Sequence, residues 1–167
     1  MVPWARGGTL QKAEETPLAL ERCPVRPLGG WEHTLALRRD GHVLSFGAGY
    51  KDSRRGAVPP VLGHGDTERH VLPKVIEALH VRAVHIACGW DHSMAVSSDG
   101  ELFTWGSGSN GKLGHGDDEN RSVPTRVEAL SGTRILQVAI AHASRSRSSI
   151  VVLSVSLAMS SSPSISS

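Results

Sequence analysis

Short apolar segments that alternate with polar residues recur along the middle of the chain, separated by Asp-Gly or other glycine-rich turns. Thr34 to Leu37 and His42 to Phe46 flank one Asp-Gly pair, while Ser93 to Val96 and Glu101 to Trp105 flank a second. Alternation with a period of two is typical of strands. Asp-Gly suits a tight hairpin because a central residue of the turn needs a positive φ angle. The pattern therefore predicts consecutive short antiparallel strands and no helix of useful length.

The segment that contains these strands is present twice. Residues 28–49 align without a gap on residues 87–108, and residues 62–79 align on residues 113–130. The offset falls from 59 to 51 residues, so the first copy has eight additional residues between its two halves. About four short strands per copy are typical of propeller blades or β-solenoid units, which bury their faces by stacking on one another.

The composition divides the chain into three regions. Residues 1–27 are rich in proline and glycine without periodicity, and we expect a poorly ordered lead-in. The repeats occupy residues 28–141, with the first over 28–86, the second over 87–138 and then the start of a third. Residues 142–167 form a serine-rich, low-complexity tail, which we interpret as a sign of a truncated or misread gene product. Because two units leave sheet faces and edges open, we expect marginal folding.

The repeated motif resembles a known family. It reads G-x-x-H-[ST]-x-A-[LV]-x-x-D-G, followed by L-G-H-G-D and a proline before a short strand, and it resembles the regulator of chromosome condensation repeat. The resemblance implies an all-β fold, a partial propeller of about two four-stranded blades. It also implies that His33 and His92 are structural and bind turn backbone near the propeller axis. The glycines implied to serve tight turns are Gly30, Gly47, Gly63, Gly89, Gly106 and Gly114, and the Asp-Gly hairpins add Gly41 and Gly100 as structural repeat positions.

Charge and cysteine content limit which classes of partner and which cellular compartment we expect. The formal net charge is +2, with acidic and basic residues interspersed, which argues against a nucleic-acid groove, a chromatin partner or an anionic membrane surface. Cys23 and Cys88 form no Cys-x-x-Cys motif, and the N-terminus has no apolar leader. The apolar segment from Ile150 to Met159 is too short to span a bilayer. We expect an intracellular protein, cytoplasmic or nuclear.

Three patterns that could carry chemistry have structural explanations. Residues 106–111 satisfy G-x-G-x-x-G, but the following residues are a poor helix start, which a phosphate site of this kind requires. Asp91, His92 and Ser93 are contiguous on a predicted strand, so their side chains alternate between faces and cannot form a catalytic triad. The histidines lack metal-ligand spacing. We predict no catalytic residue, no cofactor and no metal site.

The insertion in the first copy is the candidate binding loop. Tyr50, Lys51, Arg54 and Arg55 lie in it and could contact an acidic partner or a phosphate, with a solvated surface loop as the alternative. In the founding member of the family an extra loop acts on a small GTPase. The resemblance thus implies a protein-interaction module with a protein partner, including guanine-nucleotide exchange on a small GTPase as one activity.

Two alternatives follow from other members of the family. The chain could be a fragment of a large HECT-type ubiquitin ligase whose repeats recruit partners. It could also be similar to the plant ultraviolet-B photoreceptor, because Trp31 and Trp90 lie in Gly-Trp-x-His motifs like those of that receptor. Glu32 and Asp91 stand where the receptor motif has arginine, which would alter cation–aromatic contacts and charge pairing across an interface.

Overall fold

The computed structural model describes residues 26–30, 33–47, 60–141 and 149–156. Most of the predicted lead-in and the candidate loop residues Tyr50, Lys51, Arg54 and Arg55 lie outside the described residues. The described chain contains ten strands: β1 (Arg26–Gly29), β2 (His33–Leu37), β3 (Val43–Gly47), β4 (His70–Val75), β5 (Ala83–Cys88), β6 (His92–Ser97), β7 (Leu102–Gly106), β8 (Arg121–Arg126), β9 (Arg134–Ala141) and β10 (Ser149–Ser156).

The first eight strands form two antiparallel sheets of four strands, each in sequence order. We call β1 to β4 the first blade and β5 to β8 the second blade. The two Asp-Gly hairpins are present as predicted, and Gly41 and Gly100 have φ angles of 91° and 86°. These values require glycine because a Cβ atom there would be strained. The all-β partial propeller of two four-stranded blades is confirmed.

Strand β9 stands where a third blade would begin. Its Ile135 N–H donates to the Gly100 carbonyl at 2.9 Å, just as Ala83 N–H at the start of β5 donates to the Gly41 carbonyl at 2.9 Å. Strand β10 pairs with β9 and lies within the serine-rich region, where the sequence suggested only low complexity. The run Ile150–Val155 explains this strand, since its β-branched residues favour extended backbone and the open edge of β9 offers hydrogen bonds.

Apolar side chains meet in two seams. The first seam lies between the two blades and the second lies between the second blade and β9. Trp105, fully buried, is the largest side chain of the first seam. The other principal members are Leu35, Val43, Ile76, Ile86 and Ala95 in the first seam, and Met94, Val96, Leu102, Val127, Ile135 and Val138 in the second. Each blade therefore buries its faces on its neighbours, as stacked repeats do. Within the described residues, no helix has the length and apolar character needed to cross a membrane.

Candidate interaction surface

The strands of each blade have two ends that differ in chemistry. One end carries the repeated histidines His33 and His92 and the connections that flank them, and we call it the histidine end. The other end carries the Asp-Gly turns at Gly41 and Gly100, and we call it the turn end. The histidine end carries the hydrogen bonds of His33 and the ion pair of Asp91.

His33 links the two blades through a buried hydroxyl group. The Ser93 hydroxyl donates to the Val61 carbonyl at 3.0 Å, so the His33 Nε2–H, 2.9 Å from Ser93 Oγ, must be a donor. Trp105 Nε1 donates to the same carbonyl at 2.9 Å. The resemblance implied turn backbone as the partner of this ring, and the structure corrects that: the ring binds a hydroxyl of the next blade. Burial, followed by the nearby His92 ring, lowers the pKa of His33 to about 4.

A second hydroxyl layer repeats in both blades and fixes the Leu-Gly-His-Gly turns. Ser45 Oγ donates to the Leu62 carbonyl at 2.7 Å and lies 2.9 Å from His64 Nε2. Thr104 Oγ1 makes the equivalent contacts, at 2.8 Å to the Leu113 carbonyl and 3.0 Å to His115 Nε2. Each turn is thus tied to its own blade by one strand hydroxyl. Sequence reasoning missed these residues, although serine and threonine at one repeat position were the available signal.

His92 has a different environment from its twin. Its side chain is fully buried, yet neither ring nitrogen has a hydrogen-bond partner among the described residues. Its Nδ1 lies 3.6 Å from Asp91 Oδ1, beyond the range of a hydrogen bond. A buried polar group without a partner lowers the stability of the folded state, so His92 differs energetically from His33 of the first blade.

Trp90 and Asp91 form the exposed part of the histidine end in the second blade. The Trp90 side chain is 41% exposed. Lys112 Nζ donates to both Asp91 carboxylate oxygens, at 2.6 and 2.7 Å. Burial by itself would raise the pKa of Asp91, but the His92 ring and the Lys112 ammonium lower it to about 2. Val61 occupies the repeat position of Lys112 in the first copy, so the second blade alone can form this ion pair within its repeat.

The glycine run after β7 forms a tight turn. Gly106 has a φ angle of 105°, and a Cβ atom there would lie 2.7 Å from the Asp91 carbonyl oxygen. The run ends in a short 3-10 turn at Ser109–Gly111, and within residues 60–141 no α-helix begins there. The Gly111 amide already donates to Asp118 Oδ1 at 2.6 Å. An amide occupied by a carboxylate of the same chain is unsuited to a phosphate.

The candidate loop begins and ends at the histidine end. Gly47, the last residue before it in β3, pairs with His33 in β2. Pro60, the first described residue after the loop, is buried beside Val61, whose carbonyl accepts from Ser93 and Trp105. Both anchors therefore lie close to the buried hydrogen bonds among His33, Ser93, Val61 and Trp105. Of the predicted turn glycines, six have positive φ angles: Gly41, Gly47, Gly63, Gly100, Gly106 and Gly114.

Other reactive groups in the described part of the chain are inert or dispersed. Burial raises the pKa of the Cys88 thiol to about 12, so it stays protonated and unreactive. No group of three His, Cys, Asp or Glu side chains within the described ranges is placed to hold a metal ion. What the histidine end offers is a rigid, partly exposed surface.

Family models identify the repeats independently of the structure. The regulator of chromosome condensation (RCC1) repeat matches residues 60–96 and 99–143, and a second model of the same repeat matches residues 83–112. The chain belongs to the RCC1 repeat family. The second match reaches residue 143, so the repeat character continues through β9, the first strand of a third unit.

Several curated relatives share the repeats. The chain is 44% identical over 112 residues to the human E3 ubiquitin-protein ligase HERC2, which covers 64% of this chain and 2% of the ligase. It is 42% identical over 112 residues to the ultraviolet-B receptor UVR8 of Arabidopsis thaliana, which covers 66% of this chain and 24% of the receptor. The chain therefore spans only a small part of the length of these relatives.

Solved structures show the same architecture. Prp20p of Saccharomyces cerevisiae, whose crystal structure was described with its binding to Gsp1p and histones, matches with a TM-score of 0.56 and 26% identity. The match covers 71% of this chain and 29% of Prp20p. Human WBSCR16 matches with a TM-score of 0.56 and 28% identity, over 69% of this chain and 28% of its own.

Proposed function

We propose that this chain is a protein-interaction module that binds its partner through the histidine end and accelerates nucleotide release from a small GTPase. The observation that carries the proposal is the half-exposed Trp90, which directly precedes Asp91 of the Asp91–Lys112 ion pair at the end of the strands where the buried His33–Ser93–Val61 hydrogen bonds lie. Exposed tryptophan on a rigid support is typical of residues that contribute most of the binding energy at protein interfaces.

The insertion is rich in basic residues and is joined to strands that end at this surface. Lys51, Arg54 and Arg55 are encoded between Gly47 and Pro60, both of which lie at the histidine end. A loop anchored on a rigid scaffold is a common location for binding residues. Exchange needs no acid, base or metal, because it requires only a surface that binds the nucleotide-free GTPase better than the nucleotide-bound form. The similarity to Prp20p, which was studied for binding to Gsp1p, supports a GTPase as the partner.

Release of a fluorescent guanine nucleotide from a panel of small GTPases tests the proposal. We expect this chain to accelerate release from at least one of them, and we expect Trp90→Ala and the double variant Arg54→Glu/Arg55→Glu to abolish the effect. Arg39→Glu/Arg82→Glu is the matched control, since both residues are exposed at the turn end, away from the proposed surface. Equal loss in the control and in the loop variant, or no acceleration with any GTPase, contradicts the proposal.

A second candidate function is partner recruitment within a ubiquitin ligase. The 44% identity to HERC2 favours it. On this alternative the histidine end binds a ligase substrate or regulator, and Trp90→Ala abolishes capture of that protein without any change in GTPase nucleotide release. The photoreceptor alternative predicts instead that ultraviolet-B light dissociates an oligomer in a manner that depends on Trp90. Asp91 is paired with Lys112 of its own chain, which leaves it poorly suited to pairing across such an interface.

A further inference from the structure

The turn end carries two equivalent cavities of unequal size. The first-blade cavity has a volume of about 560 Å³ and the second-blade cavity about 330 Å³. Ile76 N–H donates to the Val43 carbonyl and Val127 N–H donates to the Leu102 carbonyl, each at 2.9 Å, which aligns the two sites residue by residue. On this alignment the residues His42, Val75 and Glu77 of the first blade correspond to Glu101, Arg126 and Glu128 of the second.

In the second blade, the chain itself supplies a guanidinium group to the wall of the cavity. Arg126 Nη1 donates to Glu101 Oε1 at 2.5 Å, while its Nε and Nη2 donate to the two Glu128 oxygens at 2.8 and 2.7 Å. This is the bidentate geometry that distinguishes arginine from lysine. The hydrogen bonds to Glu128 and then to Glu101 raise the pKa of Arg126. Arg126 lines this cavity at the position that Val75 takes in the first.

The first site keeps the carboxylate and lacks the guanidinium. Glu77 lines the cavity at the position of Glu128, is exposed, and makes no ion pair with any residue that the structure describes. Val75 replaces the arginine, so the cavity has an apolar wall formed by Val75, Ile76 and Leu79. A carboxylate next to an open apolar wall matches an arginine side chain, which has a planar charged head and a methylene stem.

We propose that the first-blade cavity binds an arginine side chain of a partner protein, whose guanidinium pairs with Glu77 as Arg126 pairs with Glu128. The arginine stem packs on Val75 and Leu79. The other charged residues on the rim are Asp40, which is already paired with Arg38, and Arg82, and the histidines His42 and His80 complete the polar lining.

This site is separate from the surface proposed for the GTPase. Trp90 lies at the histidine end, whereas Glu77 follows β4 at the turn end, so the two surfaces occupy opposite ends of the strands. One chain therefore has two distinct recognition surfaces. Loss of the arginine site would leave the nucleotide-release activity proposed for the histidine end unchanged.

Titration of the full chain with N-acetyl-L-arginine methylamide, followed by amide NMR shifts, tests the inference. We expect saturable shifts at Gly41 and Ile76, and no such shifts with N-acetyl-L-citrulline methylamide, which has nearly the same shape without the charge. Glu77→Gln should weaken arginine binding about tenfold or more, as expected for the loss of a charge-assisted hydrogen bond. Equal shifts with citrulline, or unchanged affinity in Glu77→Gln, would overturn the inference.

A reciprocal pair of variants uses the twin site as an internal control. Val75→Arg supplies the guanidinium within the chain and should abolish binding of the arginine probe at the first blade. Arg126→Val removes it from the second blade and should create a second binding site, with new shifts at Gly100 and Val127. If Val75→Arg still binds the probe, or if Arg126→Val gains no second site, Glu77 and its cavity do not select arginine.

Discussion

The two seams of the molecule share an equivalent backbone hydrogen bond, from Ala83 to Gly41 and from Ile135 to Gly100, and differ in how they satisfy a buried histidine. In the seam between the blades, His33 donates to Ser93, and the Ser93 hydroxyl and Trp105 both donate to the Val61 carbonyl. In the seam between the second blade and β9, His92 is just as buried and has no hydrogen-bond partner within the described residues.

The register of β10 also differs in residue type from the matching strand of the second blade. In the second blade Ser93 lies opposite Cys88 of β5. The matching position of β9 is Ile140, and the residue opposite it in β10 is Ile150. By backbone register, isoleucine therefore stands where the second blade has Ser93. In a stacked repeat, a buried polar residue is satisfied by the next unit, so the hydrogen-bond network belongs to the stack and not to the single repeat.

Truncation of Trp105, the aromatic residue in the first seam, should have the largest effect on stability. Trp105→Ala should lower the free energy of unfolding by about 3–5 kcal/mol, because it removes a fully buried ring and the donor to Val61. Phe46 occupies the equivalent position in the first blade and is only partly buried, so Phe46→Ala should cost less. Urea unfolding followed by circular dichroism measures both. Equal losses of unfolding free energy in the two variants would mean that Phe46 and Trp105 contribute equally to stability, which would contradict this prediction.

Acidification should weaken the first seam, between the two blades, because His33 is buried there. His33 takes up a proton near pH 6.5 in the unfolded chain but only near pH 4 in the folded chain, so the unfolded state binds more protons between these values. Stability is therefore full above pH 6.5 and falls as the pH decreases toward 4, by about 3 kcal/mol for this residue.

Urea unfolding across this pH window measures the effect, with His33→Asn as the comparison. The variant should lose less stability on acidification than the parent chain. It should still respond to pH, because burial and the nearby Lys74 and His70 also lower the pKa of His64 to about 4. Identical pH profiles for the variant and the parent chain would show that His33 does not titrate in this way.

The sequence predicted the parts of the fold that depend on local pattern. The hairpin around Asp99 and Gly100 and the equivalence of the two copies followed from alternation and turn chemistry. Contacts between residues that are distant in sequence could not be predicted from the local pattern. Thr104 is an ordinary strand residue until the Leu113 carbonyl is placed beside it, and Lys112 reaches Asp91 across 21 residues of chain.

Strand β10 was hidden for a compositional reason. Serine content dominates residues 142–167, and it masks a run of β-branched residues that can pair with an open edge. The loop residues Tyr50, Lys51, Arg54 and Arg55 remain a prediction, since they lie outside the described residues.

Replacement of each histidine by phenylalanine should separate the two seams. His33→Phe removes a hydrogen bond to Ser93 and should lower the free energy of unfolding by about 1 kcal/mol. His92→Phe keeps a flat ring and removes two nitrogens without partners, so it should leave the stability unchanged or raise it. Paired urea denaturation curves decide the point, and a larger loss in His92→Phe than in His33→Phe would contradict it.

The smallest expected effect is a gain in stability from restoring the missing hydroxyl. Ile150→Thr places a hydroxyl at the register position that Ser93 occupies in the second blade, and a hydrogen bond to His92 should raise the free energy of unfolding by about 1 kcal/mol. Val151→Thr, at the neighbouring position opposite Ala139, is the matched control and should give no gain. The imidazole nitrogen shifts of His92 should change in the first variant and stay constant in the second. A gain in both variants would indicate that threonine merely favours the strand. A gain with a His92 shift in Ile150→Thr alone would show that the second seam needs only this hydroxyl to match the hydrogen bonding of the first seam.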